Sequence, residues 1–239
     1  MSGADPSVLK RAAAMRALDF VENGMKLGLG TGSTAEAFLE VLAPRIRGGL
    51  TITGTATSER TAIKAHSLGI PVTALEQLAP LDLTVDGADE ADRALNLIKG
   101  GGGALLREKI VAASSNRMIV VADGSKLVRR LGRFPLPVEV VEFGHSVTAM
   151  RIVQTATELG YSGLRIALRM QGEVPARTDS GNLIYDCPFG SIKNAVKLAA
   201  ALKAITGVVE HGLFIGLATT LVIAHTSDRI DIIERKSNA

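Results

Sequence analysis

Residues 81–90 read Leu-Asp-Leu-Thr-Val-Asp-Gly-Ala-Asp-Glu. The first five predict a buried strand that delivers Asp86 at its carboxyl end, where open α/β sheets bind their ligands. Four consecutive glycines at 100–103 and the motif Arg107-Glu108-Lys109 follow within the 24 residues that begin at Asp86. This grouping of carboxylates, an ammonium and glycines in otherwise aliphatic sequence predicts a functional site.

Strands and helices alternate on both sides of this stretch. The apolar spacing predicts a helix that begins at Asp5-Pro6, strands at 25–29, 50–56, 71–74, 81–85 and 117–122, and helices at 35–46, 60–67 and 104–114. Such alternation is typical of an α/β fold with a mostly parallel sheet covered on both faces. We therefore expect a Rossmann-like domain.

A second unit begins near Phe134-Pro135-Leu136-Pro137, where two prolines interrupt any regular element. The pattern then predicts a βαββαβ order, which is ferredoxin-like, whereas the last strands return to the first sheet. The elements are strands at 138–142, 164–170, 183–187 and 207–210, helices at 146–159 and 191–205, and returning strands at 221–224 and 230–234. The predicted domains are a Rossmann-like α/β domain at 1–132 plus 212–239 and an inserted smaller ferredoxin-like α+β domain at 133–211.

The composition limits the kinds of molecule that this protein could bind. A net charge of +3, scattered basic residues and 3% aromatic residues with no Trp favour a small anionic ligand over nucleic acid. The most apolar stretch, 212–224, is too short to span a bilayer. Four widely spaced His and one Cys predict no metal site. The single Cys187 fits a reducing compartment, and residues 1–6 do not resemble a signal peptide, so we expect a cytoplasmic protein.

The first glycine loop, residues 30–35, reads Gly-Thr-Gly-Ser-Thr-Ala and matches the dinucleotide pattern G-x-G-x-x-A. A dinucleotide site needs an acidic residue after the next strand, which here ends at Thr57-Ser58. Hydroxyls and free N–H groups at a helix N-terminus suit one phosphate instead. The alternative is a turn with Ser33 or Thr34 as N-cap. Phosphate binding is favoured because a cap needs one hydroxyl and the loop, with Thr31, has three.

The second candidate cluster contains Asp86 and Asp89, on a segment that Gly87 and Ala88 keep sterically open to a polyhydroxylated ligand. Asp89 is equally well explained as a helix or turn cap. Glu90 is interpreted as solvated.

Further candidates follow. Lys99 precedes the glycine run, whose N–H groups and the ammonium together suit oxyanion stabilisation. Glu108 lies among aliphatic neighbours on a helix, so it is either a partly desolvated base or a salt-bridged surface carboxylate. Lys126 is either a second phosphate cation or a solvated lysine.

Taken together, these residues resemble the type A ribose-5-phosphate isomerase family. The matching motifs follow one another in chain order from the first glycine loop into the second unit. They lie at 28–34, 57–58, 68–70, 86–90, 98–102, 107–109, 122–123 with 125–126, 131–132, 134–140 and 178–179 with 181–182.

The resemblance implies an aldose-ketose isomerase that interconverts D-ribose 5-phosphate and D-ribulose 5-phosphate through an enediolate, in the non-oxidative pentose phosphate pathway. It implies no cofactor, no metal and a homodimer or homotetramer. Glu108 would be the base, Lys99 and glycine N–H groups would stabilise the enediolate oxygen, Asp86 would assist opening of the furanose ring, and Asp89 would hold hydroxyls or orient Lys99. The implied substrate contacts are Thr31, Gly32, Ser33, Thr34, Asp86, Gly87, Ala88, Asp89, Lys99, Gly100, Gly101, Gly102 and Lys126.

Two other classes remain open on the sequence. One is a sugar-phosphate-sensing binding domain, although no DNA-recognition helix is evident before residue 30. The other is a related sugar-phosphate deaminase or coenzyme A transferase, which rests on fold analogy alone.

Overall fold

The structure, a computed structural model, describes residues 5–235. The described range leaves out residues 1–4, which are part of the stretch that does not resemble a signal peptide. It also leaves out residues 236–239, which are part of the predicted first domain. The helices are α1 (Pro6–Ala17), α2 (Ser33–Arg47), α3 (Glu59–Ser67), α4 (Leu75–Leu78), α5 (Leu105–Ala113), α6 (His145–Glu158) and α7 (Ala195–Lys203). Within this described range, no helix is both long and apolar enough to cross a membrane.

Fifteen strands are described. They are β1 (Met25–Leu29), β2 (Ile52–Ala56), β3 (Leu81–Asp86), β4 (Glu90–Ala91), β5 (Leu97–Ile98), β6 (Ser115–Asp123), β7 (Leu136–Val140), β8 (Ala167–Leu168), β9 (Met170–Gln171), β10 (Val174–Pro175), β11 (Leu183–Cys187), β12 (Val208–His211), β13 (Leu213–Phe214), β14 (Thr220–Ala224) and β15 (Ile230–Glu234).

The large sheet has the order β15-β14-β6-β3-β1-β2. All neighbours pair in parallel except β15, which runs antiparallel to β14. The Rossmann-like, mostly parallel sheet is thus confirmed, and the two last strands do return to it. The order reverses at β1, which has β2 on one side and β3 on the other. Such a reversal opens a crevice at the carboxyl ends of the strands.

Both faces of the large sheet are buried, as the alternation along β6 shows. Ile119 and Val121 pack into the core that α1 and α2 cover, whereas Met118 and Val120 pack on the opposite face with Phe214. Side chains of a strand alternate between faces, so a continuous apolar run such as this one needs cover on both. The two aliphatic cores fix the strand ends that carry the crevice.

The second unit is a four-stranded antiparallel sheet of order β12-β7-β11-β8 with α6 and α7. In chain order its elements are βαββαβ, so the ferredoxin-like arrangement is confirmed. Its core, which includes Val138, Ile152 and Leu198, is separate from those of the large sheet. This separation supports the division at 133–211, which stays our proposal.

Three predicted elements differ. The strand at 71–74 is wrong, because Val72 makes only one isolated bridge to Gly54 at the sheet edge. The helix expected at 191–205 begins only at Ala195, since the Asn194 side chain caps it.

The third difference is a break in the strand predicted at 164–170. It consists of the two short pieces β8 and β9, separated by Arg169. The backbone of Arg169 is nevertheless paired, since its N–H donates to Ile184 O at 2.8 Å and its carbonyl accepts from Ala176 N at 2.9 Å.

A small antiparallel sheet of β4, β5 and β13, which the sequence analysis does not predict, lies beside the large sheet's core. Lys99 continues it, donating its N–H to Gly212 O at 2.9 Å. The solvated interpretation of Glu90 is wrong: it is 1% exposed. Its two carboxylate oxygens accept from the N–H groups of Gly132 and Phe134, both at 2.7 Å. Glu90 therefore fastens the crossing between the two units.

Replacing Glu90 by Gln should destabilise the fold. The amide keeps one oxygen and turns an NH2 donor toward one of two buried N–H donors, which costs about 2 kcal/mol of unfolding free energy. Urea unfolding measures this, with Glu173→Gln, on the exposed turn between β9 and β10, as control. Equal midpoints for the two variants would contradict the role of Glu90.

Candidate active site

A cavity of about 240 Å³ opens at the crevice beside β1 and β3. Every substrate-contact residue expected from the sequence lines it except Asp86, and Glu108 lines it as well. Lys10 of α1 also lines it and was missed, because nothing local distinguishes this lysine from a surface residue. The lining residues are Lys10, Thr31, Gly32, Ser33, Thr34, Gly87, Ala88, Asp89, Lys99, Gly100, Gly101, Gly102, Glu108 and Lys126.

One end of the cavity is built to hold an anion. Gly32, at φ +99°, precedes α2, and no side chain caps the helix. The interpretation of Ser33 or Thr34 as N-cap is therefore wrong. N–H groups of a first helical turn have no partner within the helix and attract anions. Lys10 Nζ donates to Ser33 Oγ at 2.9 Å, and Lys126 lines the same cavity.

The hydroxyl of Thr31 makes hydrogen bonds within the protein rather than pointing to an anion. Its Oγ1 lies 2.7 Å from Thr57 Oγ1 and 2.8 Å from Ser58 Oγ. Its N–H donates to Asp86 Oδ1 at 3.1 Å. Thr31 thus holds the loop to the neighbouring strand ends, and only Ser33 and Thr34 keep hydroxyls in a position to bind a ligand.

Lys99 is the centre of the site and is only 2% exposed. Its Nζ donates to Gly87 O at 2.7 Å and lies 2.9 Å from Asp86 Oδ2 and 3.3 Å from Glu108 Oε1. The contact with Oδ2 is an ion pair rather than a well-directed hydrogen bond. Burial opposes the charge of the ammonium, but Asp86 and Glu108 hold the pKa of Lys99 above its ordinary value.

Glu108 is buried on α5, with 4% of its surface exposed. Burial raises the pKa of Glu108 to about 8; Lys99 acts against this shift and Asp86 adds to it. Its second oxygen, Oε2, has no hydrogen-bond partner within residues 5–235. A carboxyl group that lines a cavity and has a pKa raised toward neutrality meets the needs of a general base near neutral pH.

Asp86 does not reach the cavity surface, because it is 0% exposed beneath Lys99. Its Oδ1 accepts from the N–H groups of Thr31 and Gly87. Burial raises the pKa of Asp86, while Lys99 and these two N–H groups lower it. The structure thus shows Asp86 supporting the strand ends, and its role in ring opening stays a prediction.

The glycine run forms part of the cavity wall. Gly101 donates its N–H to Asp89 Oδ2 at 2.8 Å. For Gly102 the structure shows no acceptor among the described residues, so its N–H is available to a ligand. Gly100 has φ +100°, which a residue with a side chain rarely adopts. No group of three or more potential metal ligands occurs in the described part of the chain.

An anion loop and a free buried carboxylate in one cavity characterise an α/β enzyme that performs acid–base chemistry on a small anionic ligand. The family model described as ribose 5-phosphate isomerase A (phosphoriboisomerase A) matches residues 53–228. The chain belongs to this family.

Relatives agree over nearly the whole chain. A ribose-5-phosphate isomerase A from Parvibaculum lavamentivorans is 57% identical over 225 residues, which are 94% of this chain and 97% of that protein. The solved ribose 5-phosphate isomerase from Plasmodium falciparum is 35% identical with a TM-score of 0.90, covering 96% of this chain and 99% of its own. A D-ribose-5-phosphate isomerase solved in complex with phospho-erythronic acid is 35% identical with a TM-score of 0.88, covering 97% and 100%.

Two neighbouring glycines should differ on substitution. A Cβ at Gly102 would lie 3.8 Å from the nearest atom, Thr31 Cγ2, whereas a Cβ at Gly101 would lie 2.6 Å from Asp89 Oδ1. Gly102→Ala should therefore keep the melting temperature but lower kcat/KM for ribose 5-phosphate at least about tenfold, because a methyl group enters the cavity. Gly101→Ala should lower both. Unchanged kcat/KM in Gly102→Ala would show that the ligand does not approach this glycine.

Proposed function

We propose that this chain interconverts D-ribose 5-phosphate and D-ribulose 5-phosphate through an enediolate, with Glu108 as the base. The observation that carries the proposal is the buried carboxyl group of Glu108, which lines the same cavity as the loop before α2 and whose Oε2 has no hydrogen-bond partner among the described residues. Family membership supports the reaction. The solved relative with phospho-erythronic acid supports the ligand class, since a phosphorylated sugar acid carries negative charge at both ends, as an enediolate phosphate does.

The reaction needs one base that serves two adjacent carbons. Glu108 takes the proton from C2 of the open-chain aldose. The C2–H electron pair forms the C1–C2 double bond while the π pair of the C1 carbonyl moves onto O1, which gives the enediolate. The same carboxyl group then returns a proton to C1, while the O2 proton moves to O1, which leaves a ketose. A carboxylate whose pKa is raised toward neutrality both accepts and returns a proton readily.

The developing negative charge on oxygen needs donors that are fixed in advance. Lys99 lines the cavity, but three oxygens of the protein already surround its ammonium. The N–H of Gly102 has no such competition. We assign Lys99 to the electrostatic field of the enediolate and the Gly102 N–H to direct hydrogen bonding. Asp86 keeps Lys99 in place, and Asp89 fixes the adjacent peptide through Gly101.

The phosphate would bind at the start of α2. The N–H groups and hydroxyls of Ser33 and Thr34 would contact it, and Lys10 and Lys126 would neutralise its charge. These contacts are remote from C1 and C2, so their binding energy serves to position the reacting carbons.

We also expect a homodimer or homotetramer. Val147 and Met150 are exposed three residues apart in the first turns of α6, and Phe143, which precedes this helix, is 94% exposed, which supports an interface there. A cytoplasmic location remains our expectation, and the free, buried thiol of Cys187 supports it.

Glu108→Gln tests the base directly. The amide nearly preserves the shape but cannot accept the C2 proton, so kcat should fall at least about 100-fold. Inhibition by inorganic phosphate should remain, since the anion loop is unchanged. Glu173→Gln is the matched control. Near-normal turnover would overturn the role of Glu108, whereas a wild-type chain without isomerase activity would overturn the proposed function itself.

The pH dependence follows from the raised pKa of Glu108. The base works when ionised, so kcat/KM should rise with pH and level off only above about 8. The substrate phosphate also titrates, near pH 6. Rates measured from pH 5 to 10, beside the inhibition constant of inorganic phosphate, separate the two steps. A single step near pH 6 would contradict the raised pKa.

A further inference from the structure

Arg169 lies outside the cavity yet contacts the glycine run that forms one wall. Its guanidinium is held first by Asp186 of β11, since Nε donates to Oδ2 at 2.9 Å and Nη2 to Oδ1 at 2.5 Å. Its remaining nitrogen, Nη1, donates to Gly100 O at 2.8 Å and lies 3.3 Å from Gly101 O. The side chain is 18% exposed. An arginine of the ferredoxin-like sheet thus fixes two carbonyl groups of the active-site loop.

The orientation of these carbonyls determines where the next N–H groups point. In a trans peptide the C=O and the following N–H are antiparallel. The Gly100 carbonyl faces Arg169, and the Gly101 N–H accordingly faces the other way, to Asp89. By the same geometry, a Gly101 carbonyl directed at Arg169 leaves the Gly102 N–H directed away from it, on the side of the cavity that Gly102 lines.

Glycine peptides need such an external restraint. Within the run, Gly103 N donates to Gly100 O at 3.0 Å and closes a turn. The central peptide of that turn, between Gly101 and Gly102, makes no part of this hydrogen bond, and glycines without Cβ adopt its two opposite orientations at similar cost. The reversed peptide would present a carbonyl oxygen to the enediolate and would repel it. Glycine is nevertheless required at 101, because a Cβ there would meet Asp89. The side chains around the run must therefore fix the Gly101–Gly102 peptide, which the turn hydrogen bond leaves free to reverse.

We propose that Arg169 is a positioning residue of the isomerase reaction, which sets the Gly102 N–H as the donor to the enediolate oxygen. The proposal rests on the proposed function. The planar guanidinium binds Asp186 with two nitrogens and the glycine carbonyls with the third. A lysine ammonium has no such fork and cannot keep the carboxylate and both carbonyls in one plane.

The kinetic test compares Arg169→Met with Arg177→Met. Arg177 is a matched control because it is half exposed on the same unit and binds Glu142 and Gly181 O. Arg169→Met should lower kcat for ribose 5-phosphate by about 10- to 100-fold with little change in KM, since the donor acts on the transition state. Arg169→Lys should recover only part of the loss.

Two inhibitors localise the defect. Phospho-erythronic acid, a charged mimic of the enediolate end, should bind Arg169→Met more weakly by a factor similar to the loss in kcat. Inorganic phosphate should inhibit the variant and the wild type equally. Combining Arg169→Met with Asp186→Asn should cause no further loss, because both changes act through one guanidinium. An equal weakening of both inhibitors would mean general loosening of the cavity and would overturn the proposal.

A measurement independent of turnover completes the test. In amide NMR spectra, Arg169→Met should shift the Gly101 and Gly102 resonances and speed the hydrogen exchange of the Gly101 amide, which Asp89 binds, while Arg177→Met should leave them unchanged. Unaltered Gly102 signals, or normal kcat in Arg169→Met, would overturn the proposal. If the wild type does not isomerise ribose 5-phosphate, the proposed function fails, and the spectra still decide whether Arg169 orients the peptides.

Discussion

The buried ammonium of Lys99 is the interaction on which the site depends. A charge with 2% exposure is tolerable only among close partners, and here they are two carboxylates and one carbonyl. These partners belong to separate elements, so one charge fixes the end of β3, the loop after it and α5 together. Two carboxylates against one ammonium also leave negative charge in excess. That excess, added to burial, is why Glu108 favours holding a proton.

Local sequence predicted the parts of the site that local backbone chemistry determines. The strand that ends at Asp86, the phosphate loop and the glycine run all have signals within a few residues. Sequence could not predict the direction of a side chain at such a strand end. Asp86 points under Lys99 because the N–H groups of Thr31 and Gly87 surround it there. The interpretation of Glu90 as solvated is wrong for the same reason, since the two N–H groups that it binds lie more than 40 residues away in the sequence.

The sequence could not predict the contacts of Lys10 and Arg169 with the site, for a different reason. Each is a basic residue in an ordinary amphipathic or strand context. Lys10 reaches the site because α1 packs beside α2 within the Rossmann-like unit, and Arg169 reaches the glycine run because the ferredoxin-like unit packs on it. The element order predicted the ferredoxin-like unit, but it could not predict that this unit contacts the glycine run of the site. Its strands carry Arg169, which binds the glycine run. Through Arg169 this unit supports the site, although Arg169 itself does not line the cavity.

The hydrogen bond from Lys99 to Gly212 O has a consequence for biosynthesis. The segment that contains Lys99 is made early, but its backbone partner is more than 100 residues later. The large sheet likewise receives β14 beside β6 only when residues 220–224 have been made. On a ribosome, which releases the chain from its N-terminus, the wall of the cavity and the sheet behind it stay unfinished until residues 212–224 have emerged. A nascent chain of this protein therefore carries Glu108 and the glycine loop at 30–34 long before it becomes an enzyme.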